Sequence, residues 1–268
     1  MNKIGRIKEF TRPYKNFYHI GMPIRTKCLY KFMSLSSLQK SLEDNTLLFR
    51  QPDEWHDPFE SRFYRANYQN HHINFNTHVY ACCVTKRENN EAAWRMYSED
   101  YINNPCVELC LSIGQVRKYI EDFVKEHNAS VYEGKVNYEL KDNEICSLHH
   151  MDNLHYNTYF APINKEKYLN LLLLKRKAFE YEDEIRYLIN DGDFDYNIKD
   201  ICIPLPWSLC VNNVKLSPFC LEDTAKRVKS MFEANLQLCK SQYPNTYPRV
   251  PFISLSALYR SQGPITID

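Results

Sequence analysis

The sequence predicts an α+β fold: a single domain with a mixed, mostly antiparallel sheet flanked by helices. Short apolar strands and amphipathic helices follow one another in mixed order along the chain. Neither an internal repeat nor a low-complexity linker divides the 268 residues, so residues 28–268 are predicted to form one domain. Residues 1–27 are basic and contain two prolines, and we predict an N-terminal arm with little regular structure there.

Local patterns predict the elements in order. A strand at residues 28–32 is followed by a helix that begins with a capping box of Ser36 and Gln39 and ends at Asn45. Residues 79–84 carry no charge, which favours a central strand at residues 78–85. Further strands are predicted at residues 46–50, 106–113, 131–140, 178–190, 201–205, 209–216 and 252–258. Further helices are predicted at residues 91–101 and 221–240, between residues 116 and 128, and after residue 164.

Composition excludes several classes of function. A net charge of +1 argues against a dedicated nucleic-acid-binding protein, and six glycines are too few to assemble a glycine-rich phosphate loop. No apolar run is long enough to span a membrane, and the polar N-terminus does not resemble a signal peptide. The ten cysteines lie mostly in apolar runs without zinc-ligand spacing, so we expect reduced thiols in the cytoplasm and predict no metal.

The most informative stretch is residues 178–190, where the pattern has a period of two. Glu182, Glu184 and Arg186 fall on one face, and Ile185 and Tyr187 fall on the other. Like charges two residues apart on one face repel each other. Two interpretations therefore stay open: a salt-bridged surface strand, or a site that uses a pair of carboxylates positioned by an arginine.

Five motifs together resemble a bacterial family, the domain-of-unknown-function family numbered 2971. They are Leu-Tyr-Lys-Phe at 29–32, Trp-His-Asp-Pro-Phe-Glu at 55–60, Tyr-Ala-Cys-Cys-Val-Thr at 80–85, Ala-Trp-Arg-Met-Tyr at 93–97 and Glu-Asp-Glu-Ile-Arg at 182–186. The resemblance covers about residues 28–220 in the family's order, and it departs from the family pattern at His56, Ile185 and residues 83–85. The family's name implies no activity.

A more distant resemblance, to ADP-ribosyltransferases, implies both a fold and NAD as substrate. In those enzymes a first strand carries an arginine or histidine, a middle strand a Ser-Thr-Ser or a tyrosine, and a later strand a glutamate. Lys31 would hold the first position, Thr85 or Tyr97 the second, and Glu182 with Glu184 the third. No Ser-Thr-Ser is present, and lysine binds phosphate only as a point charge.

The chemistry of that resemblance assigns a role to each residue. Glu184 would stabilise the oxocarbenium-like transition state of NAD cleavage, Glu182 would activate an acceptor, and Arg186 would position Glu184. The aromatic and basic residues would hold the dinucleotide: Trp94 or Tyr97 by stacking on a ring, and Lys31 and Arg50 at the pyrophosphate. The enzyme would be an ADP-ribosyltransferase or an NAD glycohydrolase.

Two other functions stay open. Asp57, Glu60, Glu182 and Glu184 could converge on Mg²⁺ or Mn²⁺ in a hydrolase or nuclease. The chain could also be a non-catalytic sensor or binding module. Trp94 and Tyr97 also fit a packing role, residues 57–60 fit a structural turn, and residues 175–177 fit the basic C-terminus of a helix.

Overall fold

The computed structural model describes residues 7–9, 15–55, 57, 60, 78–138, 165–195, 197–221 and 223–259. The chain forms two compact units, and each unit is assembled from separate segments. The first contains Met1–Lys27, Thr46–Lys86 and Ile113–Leu205, and the second contains Cys28–Asn45, Arg87–Ser112 and Pro206–Asp268. Helices and strands occur in both, so the predicted α+β class is confirmed.

The first unit contains seven strands and two α-helices among its described residues. The strands are β1 (Ile7–Glu9), β2 (Phe17–Ile20), β4 (Thr46–Arg50), β5 (Tyr80–Thr85), β7 (Ser130–Lys135), β8 (Glu184–Asn190) and β9 (Asp200–Pro204). The helices are α3 (Ile113–Glu126) and α4 (Lys165–Leu171), and short 3-10 helices lie at Pro52–Glu54 and Lys177–Glu182. Residues 1–27 were expected to have little regular structure, but β1 and β2 lie there and pair with each other.

The strands of this unit pair in the order β1-β2-β7-β8-β5-β4-β9. Strand β2 runs parallel to β7, and the other neighbours are antiparallel. In the second unit, the strands at Val211–Leu216 and Phe252–Leu255 are also parallel to each other. The sheet is therefore mixed, and the prediction of a mostly antiparallel sheet is corrected.

Strand β8 lies between β5 and β7, and all seven of its residues are buried. The sequence pattern suggested one core face and one polar face, because three charged side chains share a face. In the structure both faces are covered, so Glu184 and Arg186 are interior groups. An interior charge requires partners, and the nature of those partners decides what the site can do.

The second unit contains β3 (Cys28–Ser34), β6 (Cys106–Ser112), β10 (Val211–Leu216) and β11 (Phe252–Leu255) in that spatial order. Its helices are α1 (Leu35–Asp44), α2 (Glu91–Met96), α5 (Trp207–Cys210) and α6 (Asp223–Gln242). Helix α1 is capped by Ser34, whose hydroxyl accepts from Ser37 N–H, and not by Ser36 as predicted. Among the described residues, no helix combines the length and the apolarity needed to cross a membrane.

Gly134 of β7 has no Cβ, and the Leu173 side chain occupies the space where one would lie. A Cβ at residue 134 would overlap the Leu173 side chain, which is buried among core residues and has little room to move. Gly134→Ala is therefore expected to lower the free energy of unfolding by about 1–3 kcal/mol in denaturant titrations. Adding Leu173→Ala removes the overlap, so the double variant is expected to lose less stability than the two single losses combined. Strict additivity would contradict this contact.

Candidate active site

Five charged side chains of the first unit form one cluster, which we call the carboxylate–cation cluster: Glu60, Lys175, Glu182, Glu184 and Arg186. The Lys175 ammonium lies at its centre, with Nζ 2.5 Å from Glu182 Oε2, 3.2 Å from Glu184 Oε2 and 3.2 Å from Glu60 Oε1. Glu182 and Glu184 are two residues apart, and Glu60 comes from a distant part of the sequence. Three carboxyl groups therefore share two cations, which leaves the cluster with one surplus negative charge when all are ionised.

Arg186 occupies the interior side of the cluster, where its side chain is only 1% exposed. Its Nε donates to Glu184 Oε1 at 2.8 Å, and its Nη2 donates to Glu184 Oε2 at 3.1 Å and to Glu60. Nη1 donates to the Leu172 carbonyl at 2.6 Å, and the Trp55 ring lies 4.2 Å from the guanidinium carbon. The guanidinium thus ties strand β8 to two other parts of the chain, Leu172 on one side and Trp55 with Glu60 on the other.

Glu182 reaches the cluster through a left-handed turn at Asp183. The prediction of one continuous strand from residue 178 is wrong, because the 3-10 helix ends at Glu182 and Asp183 has a φ of 42° before β8 begins. Thr85 Oγ1 donates to the Glu182 carbonyl at 2.5 Å, and Lys135 Nζ lies 2.7 Å from Asp183 Oδ1. Asp tolerates the left-handed region better than most residues, so this turn is sterically acceptable.

Glu182 and Glu184 have very different pKa values, because their surroundings differ. Burial, together with the charges of Glu184 and Glu60, raises the pKa of Glu182 to about 7 despite the nearby Lys175. Burial would also raise the pKa of Glu184, but Arg186 and Lys175 outweigh it and lower that pKa to about 2. At neutral pH the surplus negative charge is therefore partly relieved by a proton on Glu182, the carboxyl on the more exposed side. Such a pair suits an acid–base group beside a permanently ionised one.

Several predicted site residues meet at this cluster. Glu60 belongs to it directly, and Thr85 holds the turn that carries Glu182. Asp57 lies at the edge, where its Oδ2 accepts from Arg176 Nη2 at 3.1 Å. Asp57 and Glu60, which are far in sequence from Glu182 and Glu184, thus lie at the same cluster.

The residues predicted to hold a dinucleotide are not members of the cluster. Arg50 forms a two-pronged pair with Asp200 at 2.9 and 3.0 Å. Lys31, Trp94 and Tyr97 belong to the second unit. Trp94 is fully buried with its ring edge against Phe32, as the packing alternative expected, and the Tyr97 side chain is exposed. Binding of NAD by these four residues stays a prediction.

Sequence reasoning missed Lys175, Trp55 and Tyr138. Lys175 was interpreted as a charge at a helix C-terminus, yet it is the central cation of the cluster. The Tyr138 hydroxyl accepts the Glu184 N–H at 2.9 Å and so fixes the first residue of β8. No sequence signal identifies these contacts, because each joins segments that only the tertiary structure brings together.

The cluster has the wrong partners for a divalent cation. Lys175 and Arg186 already lie between the carboxylates, where a metal ion would have to bind. Within the part of the chain that the structure describes, no group of three metal-ligating side chains was found.

Comparison with known proteins gives no assignment: no family model, no curated protein and no solved structure matches the chain. The resemblances to the family numbered 2971 and to ADP-ribosyltransferases therefore stay predictions.

Proposed function

We propose that the chain is an enzyme that cleaves the bond between nicotinamide and ribose in NAD, and that the carboxylate–cation cluster is its active site. The observation that carries the proposal is the surplus carboxylate in a mostly buried site, with Glu182 and Glu184 held at widely different pKa values. Cleavage of an N-glycosidic bond builds positive charge on the ribose, and a water-poor site with net negative charge stabilises that charge.

Each glutamate has a defined part in this reaction. The bond between ribose and ring nitrogen breaks with both electrons going to the ring, so the cationic pyridinium leaves as neutral nicotinamide. Glu184, kept ionised by Arg186, stabilises the oxocarbenium character that develops on the ribose. A new C–O or C–N bond forms to water or another acceptor, and the acceptor's proton passes to Glu182. A pKa near 7 lets Glu182 accept that proton at neutral pH.

The test is direct. The protein is incubated with NAD, with and without candidate protein acceptors, and free nicotinamide is quantified by chromatography. Release clearly above that in protein-free buffer is the expected result. A rate equal to the buffer rate under all conditions would contradict the proposal.

A further inference from the structure

Lys175 lies on the more accessible side of the cluster. Its side chain is 11% exposed and that of Glu182 is 16% exposed, whereas Arg186 is 1% exposed. Arg186 also contacts both Glu184 and Glu60, so these two carboxylates keep a cationic partner when Lys175 moves. The Lys175 backbone is held separately, because its N–H donates to the Asn137 carbonyl at 3.1 Å. Displacement of the ammonium would therefore leave this backbone hydrogen bond and the Arg186 contacts intact.

The Lys175 ammonium lies among carboxylates and beside an aromatic ring. Three carboxylates lie within 3.2 Å of Nζ, and the Phe179 ring centroid lies 5.1 Å away. Proteins recognise organic cations with carboxylates and aromatic faces. Although burial acts to lower the pKa of Lys175, the three glutamates raise it above its usual value, so the ammonium stays charged. The position among the three glutamates and the Phe179 ring is thus occupied by the protein's own Lys175 ammonium.

We propose that Lys175 is an internal competitor whose ammonium occupies the place of a substrate's positively charged ring, and that a cationic substrate displaces it. The inference rests on the proposed function, in which that ring is the pyridinium of NAD. The inference also predicts specificity: the site prefers substrates whose leaving group is positively charged. Lys175 lowers the affinity of the unliganded protein for such substrates, because its ammonium must first be displaced.

Binding of two matched probes tests the proposal. The probes are 1-methylnicotinamide, which is permanently cationic, and nicotinamide, which has the same ring and no charge. Lys175→Met is expected to bind the cationic probe about tenfold more tightly than the unmodified protein, because removing the ammonium increases the surplus negative charge. Nicotinamide binding is expected to change less than about twofold. If the methionine variant does not fold, Lys175→Gln, which is also uncharged, replaces it in the same binding measurement.

The chain offers a matched control in Lys165. Its ammonium pairs with Asp191 and lies 4.9 Å from the centroid of the Tyr132 ring, so it has a carboxylate and an aromatic face but lies outside the cluster. Lys165→Met is expected to bind both probes as the unmodified protein does. Equal tightening in the Lys165 and Lys175 variants, or none in the neutral Lys175 variants, would overturn the proposal.

A second measurement uses the unmodified protein. Acetylation by acetic anhydride, located by peptide mass spectrometry, reports whether an amine is accessible. Saturating 1-methylnicotinamide is expected to raise acetylation of Lys175 several-fold relative to Lys165, and nicotinamide is not; unchanged labelling would overturn the displacement. Neither measurement needs turnover. Absence of nicotinamide release from NAD would therefore contradict the proposed function alone, and absence of cation selectivity would contradict this inference alone.

Discussion

Arg186→Met is expected to lower the free energy of unfolding by about 3–5 kcal/mol, the largest stability loss of any change considered for this chain. The substitution removes one of the two cations that the buried carboxylates of Glu184 and Glu60 share, and it removes the Nη1 donor from the Leu172 carbonyl. Urea titration followed by circular dichroism measures the loss. Arg186→Lys keeps the charge but loses the fork of donors, so we expect an intermediate loss.

The control for this prediction is Arg50→Met. Arg50 also makes a two-pronged contact with a carboxylate, Asp200, but that pair is exposed to solvent. We expect a loss of less than about 1 kcal/mol there. Similar losses for Arg186→Met and Arg50→Met would show that burial of the cluster contributes little, which would contradict the account of its energetics.

Glu184→Gln is expected to reduce kcat for nicotinamide release by about 10²–10³-fold with little change in KM. The amide is close in shape to the carboxylate and can still accept from Arg186 Nε, but it has no negative charge to place beside the ribose. The loss therefore concerns the transition state more than binding of NAD. Initial rates over a range of NAD concentrations separate the two constants.

The matched control is Asp200→Asn, which removes one carboxylate charge from an arginine pair in the same unit but outside the cluster. Its kcat is expected to stay within about twofold of the unmodified value. Thermal unfolding of both variants shows whether each is folded at the assay temperature. A folded Glu184→Gln variant that releases nicotinamide at the full rate would remove Glu184 from the reaction.

The α+β class, and residues 182–186 as a candidate site, could be predicted because both depend on patterns among residues that are neighbours in sequence. A period of two, capping residues and uncharged runs depend on neighbours in sequence, and most predicted elements occur close to their predicted places. The Asp183 turn was missed because alternation through residue 183 is equally compatible with a strand. Its left-handed geometry is fixed by Thr85 and Lys135, which lie far away in sequence.

The composition of the site was harder to predict than its location. Glu60 and Thr85 were candidates because they belong to recognisable motifs, but nothing local places Lys175 between three glutamates. Trp94 shows the opposite difficulty: the sequence made it a candidate for stacking on a ligand, but its side chain packs in the core of the second unit. An aromatic at helical spacing looks the same in sequence whether it packs or binds a ligand, and only burial distinguishes the two.

The protonation of Glu182 links the structure to the proposed chemistry. Because its pKa is higher in the folded protein than in the unfolded chain, the stability contributed by this group is fully present below about pH 4.3 and is lost as the pH rises through about 7. Glu182→Gln cannot ionise, so its stability is expected to lack that decline.

Titration of the Glu182 side-chain carboxyl by carbon-13 NMR, assigned by the signal that disappears in Glu182→Gln, is the most direct test of the central claim. That claim is that three carboxylates share two cations in a site withdrawn from water. The account predicts a midpoint at about pH 7. A midpoint near the ordinary glutamate value of about 4.3 would contradict it.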